Sequence, residues 1–184
     1  MAVNIKMDHP LHKVIGDMIQ DSEFPNCTII KDPACGGSQN VPLFCSNEKS
    51  NQTEYCNVDL LILKDNKIGV IIEIEEANIK PTQICGKFLA SALSSHFIHT
   101  TQNDIPIGMG ESVAFIQILD TSKLKEDETS KIEQWKNIEK SIQNIVPVNS
   151  SRINNYRLFF GNPSKFREEN KRKELIDYIR KVLR

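Results

Sequence analysis

Two apolar segments joined by a short polar turn constrain this chain more than any other feature. Residues 55–63 read Tyr-Cys-Asn-Val-Asp-Leu-Leu-Ile-Leu, and residues 68–75 read Ile-Gly-Val-Ile-Ile-Glu-Ile-Glu. Strands this rich in large and β-branched side chains belong in the middle of a sheet. The intervening Lys64-Asp65-Asn66-Lys67 is short enough to make them an antiparallel hairpin. Carboxylates inside such strands cost free energy unless something compensates them. Glu73 and Glu75 are two apart and point to the same face. A hairpin turning near Asn66 sets Asp59 beside the end of the strand that carries them. Three carboxylates then converge on one small patch, where each raises the others' pKa. A divalent cation resolves that repulsion. Mg2+ prefers a few carboxylates together with water and phosphate oxygens, and such an ion activates water and polarises a phosphodiester. The plainer alternative is that Glu75 and Glu76 end the strand at the surface while Glu73 finds a buried partner.

The flanking segments predict the remaining elements. Leu11, Val14, Ile15, Met18 and Ile19 repeat at helical spacing over about Pro10–Gln20, with Pro10 suited to a first turn. Cys27–Lys31 is β-prone, and residues 33–54 read as a loop with a short strand at Val41–Cys45. Pro81 opens a helix to about Phe97 with Ile84, Phe88, Leu89, Ala92 and Leu93 on one side. Gly108-Met-Gly110 reads as a turn before a strand at Ser112–Leu119. Thr129–Ile145 is an amphipathic helix that turns Ile132, Trp135, Ile138, Ile142 and Ile145 inward. Tyr156–Phe160 is a last strand, and Asn162-Pro163-Ser164 starts a final helix carrying Leu175, Ile176, Ile179, Val182 and Leu183. The order α, β, β-hairpin, α, β, α, β, α predicts a mixed sheet flanked by helices.

An Asp on one strand of a hairpin, followed by Glu-x-(Lys or a variant) on the next, resembles the signature of the PD-(D/E)XK nucleases. That superfamily holds restriction endonucleases, junction resolvases and repair nucleases. The resemblance covers the hairpin and its flanking elements, from Pro10 to Leu119 in element order. It implies an α/β fold with a restriction endonuclease-like mixed central sheet flanked by helices, as a single domain over residues 1–184. It also implies that Asp59 and Glu73 are metal ligands. Val58 stands where most members have Pro, and Glu75 where most have Lys. Some restriction enzymes carry Glu-x-Glu, which implies that Glu75 orients or deprotonates the attacking water. Alternatively the lysine comes from the next helix. Lys87 is the candidate, on the same helix face as Gln83; Lys80 is nearer the strand end but precedes Pro81. A further acidic ligand from the first helix would be Asp17 or Glu23.

The whole chain carries a net charge of −1, unevenly distributed. Residues 151–184 hold ten Lys/Arg against four Asp/Glu, a local +6, and the remaining thirteen basic and twenty acidic residues leave −7. Arg167, Lys171, Arg172 and Lys173 are the candidate contacts to a nucleic-acid backbone; an ordinary solvated helix face is the alternative. Five cysteines without a CxxC spacing read as reduced thiols, not a zinc site or a disulfide framework. His96 and His99 read as residues of a helix C-terminus. No apolar signal core and no membrane-length apolar run are seen, so the expected location is the cytoplasm. The expected activity is Mg2+-dependent DNA cleavage (Mn2+ substituting), by a Type II restriction enzyme acting as a homodimer on a palindromic site. The alternatives are a repair or junction-resolving nuclease, and a nuclease-like domain that binds nucleic acid without cutting.

Overall fold

The computed structural model describes residues 9–76, 79–125 and 129–184. A mixed eight-stranded sheet lies between two groups of helices. The strands are β1 (Cys27–Lys31), β2 (Pro42–Phe44), β3 (Glu54–Asn57), β4 (Leu60–Lys64), β5 (Lys67–Glu75), β6 (His96–Phe97), β7 (Ile107–Asp120) and β8 (Ile153–Gly161). The helices are α1 (Pro10–Met18), α2 (Pro81–Ala92), α3 (Thr129–Gln143), α4 (Pro163–Arg167) and α5 (Glu169–Val182). Strand order is β1-β4-β5-β7-β6-β2-β3, with β8 also paired to β7.

The β4–β5 hairpin forms as its sequence requires. Asp65 and Asn66 both take positive φ, 51° and 57°, which a two-residue turn matched to strand twist needs. β5, β7 and β8 run parallel in that spatial order, linked through α2 and α3. Parallel crossovers of one hand in one direction put both helices on one face. Accordingly Ile84 and Phe88 of α2 and Trp135 and Ile142 of α3 share a core with Leu61, Ile71, Phe115 and Leu158. On the other face, α1, α4 and α5 cover Leu60, Ile62, Val70, Ile72, Ile74 and Ile116.

Several boundaries differ from the sequence reading. The expected strand 55–63 is two strands: β3 pairs with β2, while β4 pairs with β1 and β5. The break falls at Val58-Asp59, where Val58 N–H donates to Val41 and the Asp59 carbonyl accepts from Asp32. α2 stops at Ala92, because His96 and Phe97 pair with β2 and β7 instead. The same pairing draws Gly108 into β7, where a preceding turn is expected. Leu89 and Leu93 are about half exposed, so the buried stripe of α2 is Ile84, Phe88 and Ala92. Ile145 lies beyond the end of α3 and is exposed. The expected final helix is α4 and α5, separated at Glu168, whose extended backbone begins the second helix.

Candidate active site

The carboxylates gather where β4 stops and β5 continues. The last β4–β5 pair is Leu60 with Ile72, so Glu73, Ile74 and Glu75 extend past their antiparallel neighbour. On the other side they stay paired, Glu73 with Gln117 and Glu75 with Leu119 of β7. Asp59 fills the vacated position: its Oδ2 accepts from the Ile74 N–H at 2.6 Å, in place of the carbonyl a longer β4 would offer.

Glu73 is completely buried, and Lys87 of α2 reaches it, with Nζ 3.2 Å from Oε2 and 3.4 Å from Oε1. Burial pushes the Glu73 carboxyl well above its ordinary range; Asp59 adds to the push and Lys87 opposes it. Glu75 is also raised, first by burial, with Lys87 opposing and Asp59 reinforcing. Its Oε2 accepts from the Gln83 side chain, one turn before Lys87, and its buried Oε1 has no hydrogen-bond partner. Burial lowers the Lys87 pKa, but Glu73, Glu75 and Asp59 outweigh it and the net shift is upward. Asp59, Glu73, Glu75 and Lys87 therefore share one field at this end of β5. Their oxygens are not drawn into a tight cage. Among the described residues, the set of three ligand atoms within 4.8 Å of one another is His9, His12 and Glu76.

Four contributors escaped the sequence reading of this site. His12 of α1 is buried and places Nε2 3.5 Å from Asp59 Oδ1. Burial opposes its protonation, yet Asp59 and Glu76 raise its pKa overall. Glu76 is not a surface strand end: its Oε1 accepts from the backbone N–H groups of Leu11 and His12, capping α1 from outside the helix. Gln83 was noted only as a neighbour of Lys87, not as a partner of Glu75. Gln117, in register with Glu73, is fully buried; its Oε1 accepts from Tyr156 at 2.6 Å and its Nε2 is unpartnered. A histidine within the apolar stripe of α1, and a glutamine inside the apolar run of β7, were the available signals.

Other candidates lie elsewhere. Glu23 is held by Arg172 and Arg180, so it is not a ligand from the first helix, and Asp17 is exposed. Lys80 makes no ion pair among the described residues, whereas Lys87 does. Arg167, Lys171, Arg172 and Lys173 sit on α4 and α5, across the sheet from Glu73. Arg172 is ion-paired to Glu23 and Glu169, and Lys171 to Glu174 while lying over the rings of Phe159, Phe160 and Phe166. Arg167 and Lys173 are exposed. His96 meets Ser95 and His99 meets Thr101, so each histidine has its own neighbour. All five cysteines are free. No helix among the described residues is long and apolar enough to cross a membrane; the signal reading falls largely on residues 1–8, outside the described set.

Comparison with known proteins returned no matching family model, no matching curated protein and no matching solved structure.

Proposed function

We propose that this chain is a divalent-metal-dependent endonuclease acting on DNA, with Asp59, Glu73, Glu75 and Lys87 as its working groups. The observation that carries this reading is Glu73: a glutamate of zero exposure in a central strand, held by a lysine from the following helix and flanked by two more carboxylates. Burying that much acid is costly unless the charge is used or neutralised. Asp59 and Glu73 would hold Mg2+ or Mn2+, and the orphaned Oε1 of Glu75 is a buried acceptor of the kind such an ion or its water satisfies. The ion would supply stabilisation of charge on the phosphodiester. Glu75, oriented by Gln83, accepts a proton from the attacking water. Lys87 holds Glu73 in place and offers positive charge to a non-bridging phosphate oxygen.

The phosphate backbone needs cations not already neutralised. Lys80, Lys123 and Lys131 meet that condition among the described residues. They line a cavity of about 300 Å3 with Glu76, Asp120 and Trp135, beside the C-terminal ends of β5 and β7. Ligands of open α/β sheets favour those ends. These lysines are better placed than Arg172 to track DNA toward Glu73. A palindromic target would call for a homodimer.

A plasmid digest tests the reading, run with Mg2+, with Mn2+ and with EDTA. Cation-dependent cutting is expected, with discrete bands for a restriction enzyme and smearing or branched-substrate cutting for a repair nuclease. Asp59→Ala and Glu73→Gln should each lose at least about 100-fold in rate. Variants that cut as well as wild type would refute the site. DNA binding without cleavage under either metal would favour the non-cleaving alternative, to which Glu75 at the usual lysine position lends support.

A further inference from the structure

We propose a second metal site, for one zinc-class transition-metal ion, on His9, His12 and Glu76 at the start of α1. None of its ligands belongs to the Asp59–Glu73–Glu75 group, and it does not rest on the nuclease reading.

The ligand atoms are already arranged. His9 Nδ1 lies 3.2 Å from Glu76 Oε2, and His12 Nδ1 lies 3.3 Å from Glu76 Oε1. The three residues can present one atom each, all within 4.8 Å of one another. Around a tetrahedral ion with bonds of about 2.0–2.1 Å, neighbouring ligand atoms sit about 3.3 Å apart. Each histidine Nδ1 stands at about that distance from a Glu76 oxygen, His9 from Oε2 and His12 from Oε1.

His12 supplies the independent observation. It is only 8% exposed, and its Nδ1 is buried without a hydrogen-bond partner, because the approach to Glu76 has ion-pair distance but not hydrogen-bond alignment. Nε2 faces Asp59 Oδ1 at 3.5 Å, on the opposite edge of the ring from Glu76. A metal-bound imidazole backed by a carboxylate on its other nitrogen is the arrangement that orients metal-binding histidines. Asp59 is thus a positioning residue here.

The chemistry selects the ion. Two imidazoles with one carboxylate suit Zn2+ and its neighbours over Mg2+, which favours all-oxygen sites. His9 is 39% exposed, so solvent reaches the fourth position. The anion-seeking N-terminus of α1 is satisfied by Glu76, whose Oε1 takes the two amide hydrogens while Oε2 faces His9.

The test uses the full chain, reduced and stripped with chelator, titrated with Co2+ by visible absorption and with Zn2+ by calorimetry. With Mg2+ in excess to occupy Asp59 and Glu73, one ion per chain is expected, with the absorption of nitrogen–oxygen coordination. His9→Ala and His12→Gln should each weaken binding at least tenfold. Asp59→Asn should weaken it about 10–100-fold, as loss of an outer partner does. Glu73→Gln should leave it unchanged, which separates this site from the nuclease carboxylates. His9→Ala is the decisive variant, since its side chain is partly exposed and removes no core contact. The proposal is overturned if wild type takes up no Co2+ or Zn2+, or if His9→Ala binds as wild type. Sulfur-to-cobalt charge-transfer bands would also overturn it by placing the ion on thiolates.

Discussion

Replacing Glu73 by Gln should stabilise the metal-free protein while abolishing cleavage. The substitution keeps shape and removes a charge that has no exposure to water. Burial, reinforced by Asp59, holds the Glu73 carboxyl well above its ordinary value of 4.5 despite Lys87. A carboxyl so raised binds its proton more tightly in the folded chain. Its contribution to stability is fully present below about pH 4.5 and is lost as pH rises through the folded value. One such group gives a slope of at most about 1.36 kcal/mol per pH unit. Replacing a whole buried ion pair by neutral groups is neutral or stabilises by roughly 1–4 kcal/mol, and Glu73→Gln removes the buried half of this one. Against this, Lys87 loses a partner, but its side chain is 37% exposed and reaches water, which limits that loss to about 1 kcal/mol. The net expectation at pH 8 is a gain of about 0–3 kcal/mol, or up to roughly 12 °C in Tm for a chain of this length. The gain should shrink toward zero near pH 4.5. Thermal melts of both proteins from pH 4.5 to 8.5 in EDTA measure it. Mg2+ at about 100 Kd should stabilise wild type by about 2.7 kcal/mol and the variant far less. A variant less stable than wild type at pH 8, or a difference independent of pH, would mean that Lys87 fully compensates Glu73.

Lys87→Ala leaves Glu73 buried without its cation, so urea unfolding at pH 8 should show a loss of about 1–2 kcal/mol that diminishes on acidification. Two helical glycines should respond in opposite directions. Gly86→Ala in α2 meets nothing within 4 Å and should gain roughly 0.8–1 kcal/mol of helix propensity, whereas a Cβ at Gly16 in α1 would lie 2.0 Å from the Cys35 carbonyl oxygen, so Gly16→Ala should cost at least about 2 kcal/mol by the same measurement.

The hairpin was legible because alternation and turn chemistry are local. Asp65-Asn66 between two apolar runs fixes the hairpin, although the register shifts by one residue between Leu63 and Ile62, and the two-residue spacing puts Glu73 and Glu75 on one face. The same logic located Lys87, because a helix opened by Pro81 puts residues 83 and 87 on one side. What escaped depends on contacts distant in sequence. Nothing near Asp59 signals that β3 and β4 part company there, since the break is set by pairing with β2 and β1. Glu76 looks like a strand end until α1, more than sixty residues earlier, presents its amides to it. The basic surplus of residues 151–184 was visible as charge, but its neutralisation of Glu23 is a tertiary fact.

The site owes its existence to a mismatch in strand length. β7 accompanies β5 through Glu75, whereas β4 leaves at Leu60, so one side of a central strand loses its neighbour for three residues. Unpaired backbone inside a fold must be satisfied by something else. Here a side chain does it, the Asp59 carboxylate at Ile74 N–H, and an acidic group is thereby carried into the interior beside Glu73. Extending β4 would remove both the gap and the need for Asp59. Lys87, Gln83 and His12 then converge on this opening from the helices on its two faces, because this end of β5 has no neighbouring strand on its β4 side. The arrangement that lets a carboxylate replace a backbone partner is therefore the same one that brings Asp59 beside Glu73.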